Sequence, residues 1–144
     1  MILGKNYFNG IQNDKLYLGT NLIYSNVAPS DFTPLTNSNF NTVRDLWFTN
    51  QAQAEASYGL IGQWNTTGVT DMGNAFSYSG VVTNDFNEDI SGWDMSNVEN
   101  MSGMFYRQPL FNQDLSSWDT SNVHNISSIF WKASAFNQPL NSWD

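Results

Sequence analysis

The chain has no cysteine, one histidine and only five lysines and arginines in 144 residues. Without cysteine there is no disulfide, no thiolate metal site and no cysteine nucleophile. Five basic side chains against thirteen acidic ones, for a net charge of −8, exclude a nucleic-acid partner, because phosphate binding needs a Lys/Arg surface. Anionic membrane surfaces are excluded on the same ground. No stretch approaches the ~20 apolar residues that membrane insertion requires. The opening "MILGKNYFNG" has neither a basic start nor an apolar run of signal length, so export by an ordinary signal peptide is not expected.

Charge in general is scarce. Charged residues make up 12% of the chain, against a usual value near 25%. Asn, Ser and Thr take their place, and these residues bond to backbone in turns and caps. Hydrophobic residues at 40% and aromatics at 15% are enough to build a core.

What is present in abundance is repetition. "FNEDISGWDMSNVENMSGMF" begins at Phe86 and "FNQDLSSWDTSNVHNISSIF" at Phe111, and "FNQPLNSWD" opens a third copy at Phe136. Trp93, Trp118 and Trp143 keep the same step of 25, as do Val98 and Val123. Met101, Met104 and Phe105 recur as Ile126, Ile129 and Phe130. Trp64, Val69, Met72 and Phe76 form a diverged earlier copy. Its outgoing connection is longer: Phe76 and Phe86 are ten positions apart, Phe105 and Phe111 six.

A period of this length suits one coil of a solenoid, in which no unit buries its apolar face alone and stacked units share a core. The expected fold is therefore a mixed α/β solenoid. Short parallel strands are expected near Trp93–Val98 and Trp118–Val123, and short helical turns where apolar residues fall at i, i+3 and i+4. Trp64, Phe86, Trp93, Met101, Phe105, Phe111, Trp118, Ile126, Phe130, Phe136 and Trp143 are the expected inward-facing repeat positions.

Upstream, "SNFNTVRDLWFTNQAQAEASYG" suits a helix that caps the first coil, with Asn39 or Asn41 at its start and Gly59 as its stop. "KLYLGTNLIYS" suits a small hairpin, Leu16–Leu18 and Leu22–Tyr24 around a three-residue loop, with Pro29 and Pro34 marking a linker. The expected organisation is a β module with linker over 1–30, a helical cap over 31–62 and the repeats over 63–144. The third copy stops at Trp143-Asp144, and an unfinished coil is expected to be covered by a symmetry-related copy or a neighbouring structural protein, the alternative being that Asn141 and Asp144 cap it themselves.

"FNQDLSSWDTSNVHNISSIF" followed by "WKASAFNQPLNSWD" resembles the repeat of BspA-like surface proteins, a leucine-rich-repeat relative found in bacterial surface lipoproteins and in phage and protist proteins. The resemblance spans residues 40–144. It implies leucine-rich-repeat-like coils and a surface or adhesive role. Two departures stand out: Asn65 replaces the Asp of the Trp-Asp pair in the first copy, and no lipobox or wall anchor is present. "KLYLGTNLIYSN" is similar to short β modules of tailed-phage structural proteins. The two resemblances together imply an outward-facing virion component, a capsid decoration or a tail or fibre protein, making contact with other virion proteins or a host surface. The alternative is a bacterial cell-surface adhesin for a host protein or carbohydrate, located outside the cell or on its surface.

No catalytic constellation is expected. His124 takes the place that Glu99 holds one copy earlier, and no nucleophile accompanies it. Asp85 to Asp89 opens like a calcium loop, but Ile90 and Ser96 stand where its glycine and bidentate glutamate belong, so neither a metal nor a cofactor is expected. The Trp-Asp carboxylates are assigned to turns, where Asx side chains accept backbone N–H. Tyr78, Tyr106, Arg107, Trp131 and Lys132 lie in the connections, vary between copies and are the candidate contact residues.

Overall fold

The computed structural model describes residues 15–18, 21–25 and 32–143. Most of the 1–30 module, including the linker at Pro29, lies outside the described residues. Within it, β1 (Lys15–Leu18) pairs antiparallel with β2 (Asn21–Ser25). Leu18 pairs with Asn21, so Asn21 belongs to the strand and the connection is residues 19–20. Helix α1 (Phe40–Thr49) and helix α2 (Gln51–Tyr58) follow, broken at Asn50, whose backbone leaves helical geometry and whose side chain accepts the Gln53 N–H to start α2. Gly59 ends α2 with φ at +79°, and a side chain there would run into the Phe32 ring. Phe40 and Val43 are buried on one face of α1, where Phe40 meets the edges of Trp64 and Trp93 at 6.4 and 5.9 Å.

The repeats do not form the expected mixed α/β solenoid. Both α-helices precede the repeats, a single 3-10 turn (Ile61–Gln63) leads into the first, and no strand occurs among residues 32–143. Parallel pairing shrinks to isolated one-residue bridges, Thr36 with Gly68, Asp71 with Asn100 and Asn100 with Asn125. Local chemistry gives the reason for both misses.

In the segments expected to be strands, Asp94 accepts the Ser96 N–H at 3.0 Å and its hydroxyl at 2.6 Å, and Asp119 does the same for Ser121. Val98 N–H then closes a turn on Met95 C=O. Donors captured this way cannot enter a ladder. In the segments expected to be helical, Met104 N–H closes a turn on Met101 C=O, and its third residue, Gly103, has φ at +61°. Asn74 and Ser128 take the same left-handed place at +56° and +58°. That conformation suits a type II turn and stops a helix. The i, i+3, i+4 apolar spacing therefore comes from consecutive turns.

Between these turns, alternate N–H groups reach the next coil. Met101, Gly103, Phe105 and Arg107 donate to the carbonyls of Asn125, Ser127, Ile129 and Trp131. Coil is thus stitched to coil without a continuous sheet. Inside, the rings superpose. Phe76, Phe105 and Phe130 stack at 6.0 and 5.6 Å, and Phe86, Phe111 and Phe136 at 6.0 Å each. Trp64 stacks on Trp93 and Trp118 on Trp143. The Trp93, Trp118 and Trp143 indoles donate to Ile61, Ile90 and Leu115 C=O of the preceding coil.

Each buried ring removes enough apolar area to contribute roughly 4–6 kcal/mol gross, against about 1 kcal/mol net for one hydrogen bond. The rings therefore dominate the stability, and the bonds fix the register. Ile126 departs from its expected place. It is 51% exposed, whereas its counterpart Met101 is fully buried, because Met101 has coils on both sides and Ile126 on one.

Candidate functional site

Two turns build the most distinctive exposed surface. Gln108 N–H closes on Phe105 C=O and Ala133 N–H on Phe130 C=O, with Tyr106-Arg107 and Trp131-Lys132 as the central pairs. Phe105, Gln108 and Ala133 are buried, so the central residues point outward. The bond from Arg107 N–H to Trp131 C=O at 2.8 Å sets one turn beside the other. Tyr106 and Trp131 consequently stack at 4.5 Å with their planes 12° apart.

Two cations rest on this stack. Arg107 Cζ lies 5.5 Å from the Tyr106 ring centre and 5.6 Å from that of Trp131, and Lys132 Nζ lies 4.4 Å from the Trp131 ring centre. Ring quadrupoles attract such charges. Arg107 and Lys132 sit at φ of +59° and +60°, which costs a residue with a Cβ roughly 1–2 kcal/mol. Neither forms an ion pair among the described residues, while Arg44 is held by Asp45 at 2.7 Å and by the Ala75 carbonyl. Of the five candidate contact residues, Tyr106, Arg107, Trp131 and Lys132 come together. Tyr78, whose N–H bonds to Tyr106 C=O as that of Arg107 does to Trp131 C=O, takes the place of Arg107 and Lys132 one coil earlier; it is 49% exposed and makes no ring contact among the described residues.

Gln108 was not legible as a key residue. It is fully buried; its amide donates to the carbonyls of Phe76 at 2.6 Å and Thr83 at 2.7 Å, and its oxygen accepts the Phe86 N–H at 3.2 Å. These three bonds tie down the long first connection. The available signal was the mismatch at this repeat position, Gln108 against Ala133.

The remaining polar groups mostly serve turns. Asn65, the residue that breaks the Trp-Asp pattern, accepts from Thr67 N–H and hydroxyl much as Asp94 does from Ser96. Asp89, Asp114 and Asp119 are held below the usual carboxylate range by bonds from Ser91, Ser116 and Ser121. Clefts of about 400, 300 and 310 Å³ lie away from the aromatic patch: one beside Glu55, Gln63 and Asp89, one beside Trp47 and Phe86, and one beside Glu99 and His124. Among the described residues no three His, Cys, Asp or Glu side chains converge on a metal-sized site, and no helix is long and apolar enough to cross a membrane.

Residues 35–144 match the model of a family described as "Mycoplasma protein of unknown function, DUF285". No curated protein and no solved structure matches.

Proposed function

We propose that this chain, which belongs to the DUF285 family, is a non-enzymatic recognition module that meets its partner through Tyr78, Tyr106, Arg107, Trp131 and Lys132. The observation that carries the reading is the Tyr106–Trp131 stack, Tyr106 half-buried and Trp131 exposed, with two cations resting on it that form no ion pair among the described residues. Tyr, Trp and Arg are the residues that dominate contact energetics when a partner desolvates them. Arg107 and Lys132 take the left-handed third place of their turns, as Asn74 and Ser128 do, and both side chains are exposed there. A stack of hydrogen-bonded coils is a rigid support, so little order is lost on contact.

Carriage on a phage virion is the setting we infer from the hairpin segment. A cell-surface adhesin is the second reading, favoured by the family description, which names proteins of a cellular organism. Mass spectrometry of purified particles and of surface-released protein separates the two settings.

The recognition reading is tested by adhesion of the labelled chain to a panel of cell surfaces and immobilised glycans. Combining Arg107→Gln with Trp131→Ala abolishes adhesion, while Asn122→Ala, at the cleft beside His124, leaves it intact. Adhesion that survives the double variant, or a parent chain that adheres to nothing, overturns the reading.

A further inference from the structure

We infer that the patch recognises a carboxylated saccharide, a uronic-acid-type sugar whose carboxylate lies between Arg107 and Lys132 and whose ring lies against Tyr78. The inference rests on the recognition reading above and specifies the ligand of that surface.

The cations come first. The whole chain carries −8, yet this edge presents an arginine and a lysine with no carboxylate partner among the described residues. Arg107 is placed almost equally far from two stacked rings, and Lys132 covers Trp131. Both are thus held in position before any ligand arrives, which lowers the ordering cost of binding. They sit at the same place in adjacent turns, which the Arg107 N–H to Trp131 C=O bond sets side by side, so one anionic group laid across this edge is attracted by both. A guanidinium fork matches the two oxygens of a carboxylate, and an ammonium adds a point charge beside it.

A peptide is the weaker fit. An extended peptide needs free backbone groups or an apolar groove. Here the N–H groups of Tyr78, Tyr106, Arg107 and Trp131 are all engaged, within their own turns or with the next coil. The clefts are lined by other residues. Within the patch only the Lys132 N–H lacks a backbone partner among the described residues, and a single donor does not seat an extended strand.

The rings decide where a sugar can lie. Trp131 is closed to it, since Tyr106 stacks on the ring and Lys132 Nζ rests over it. Tyr78 is half exposed, stands one coil before Arg107 in the column of the two cations, and makes no ring contact among the described residues, so its ring is open to the C–H face of a sugar. The surface therefore offers one aromatic platform beside a two-cation clamp.

The test is calorimetric titration of the full chain with oligogalacturonate, a neutral galacto-oligosaccharide, a sulfated galacto-oligosaccharide and hexaglutamate. The uronate binds; Arg107→Gln weakens it at least about tenfold, as loss of a charge-assisted pair should. Tyr78→Ala weakens it severalfold, and raising salt to about 0.5 M weakens it further. Lys132→Gln gives an independent reading of the clamp should either variant fail to fold.

Equal binding of the neutral sugar overturns the inference, as does a preference for the sulfated sugar. Hexaglutamate bound as tightly as the uronate, with no effect of Tyr78→Ala, points to an acidic peptide and also overturns it. If adhesion maps to the patch but no uronate binds, the saccharide inference alone fails. If adhesion does not map there either, both readings fail.

Discussion

Two aromatic stacks run along this molecule one residue apart, and they differ in almost everything except spacing. Phe105 and Phe130 stack at 5.6 Å, Phe105 fully buried; their chain neighbours Tyr106 and Trp131 stack at 4.5 Å on the surface. The inner column repeats one residue type, Phe76, Phe105 and Phe130, whereas the outer one changes at each coil, Ser77, Tyr106 and Trp131. The same backbone register produces both. Burial makes the inner identity compulsory, because a smaller ring leaves a cavity that neighbouring coils cannot close. Exposure frees the outer identities, and freedom there is what recognition needs.

The comparison breaks first on the inside. Trp93→Ala removes a ring that touches Phe40, Trp64 and Phe76 and takes from the Ile61 carbonyl the shorter of its two hydrogen bonds. A loss of about 4 kcal/mol is expected in urea unfolding. Unchanged stability would mean that the tryptophan column is not the interior support. Next comes Gln108→Ala, which leaves three backbone groups of the long first connection without their partner. It is expected to cost about 3 kcal/mol, and faster hydrogen exchange should be confined to residues near Phe76, Thr83 and Phe86.

On the outside the expected effects are small. Arg107→Gly relieves a left-handed residue and removes a cation from two rings, terms of similar size and opposite sign. Its unfolding midpoint should therefore correspond to a change within about 1 kcal/mol, even as binding is lost. A large destabilisation would make Arg107 a structural residue.

The smallest effect is electrostatic. Asp89, Asp114 and Asp119 have folded-state pKa values below their unfolded ones, so their contribution is present above the unfolded value, about 3.9, and is lost as pH falls through the folded values. Stability should stay level from neutral pH to about 5 and decline below about 4. Asp119→Asn, which copies the Asn65 turn, should keep neutral stability and flatten that decline.

Much of this was legible from residue spacing. The step of 25 locates the columns of Phe and Trp, and variability between copies locates the four clustered contact residues. What spacing does not encode is backbone hand. Met101, Met104 and Phe105 suit a helix until Gly103 and Arg107 turn left-handed, and "WDMSNV" suits a strand until Asp94 takes the Ser96 N–H. Ile126 was misplaced for another reason: periodicity treats every coil as equivalent, and burial does not. Gln108 is not marked by the repeat, because it matters through the irregular connection that it fastens.

The most direct test sets two neighbours side by side: urea unfolding and oligogalacturonate titration of Phe105→Ala and Tyr106→Ala. Phe105→Ala is expected to lose about 4 kcal/mol of stability, while Tyr106→Ala keeps the parent midpoint and loses affinity. Equal destabilisation by both, or full affinity in Tyr106→Ala, would contradict the division between an inner stack that supports and an outer stack that recognises.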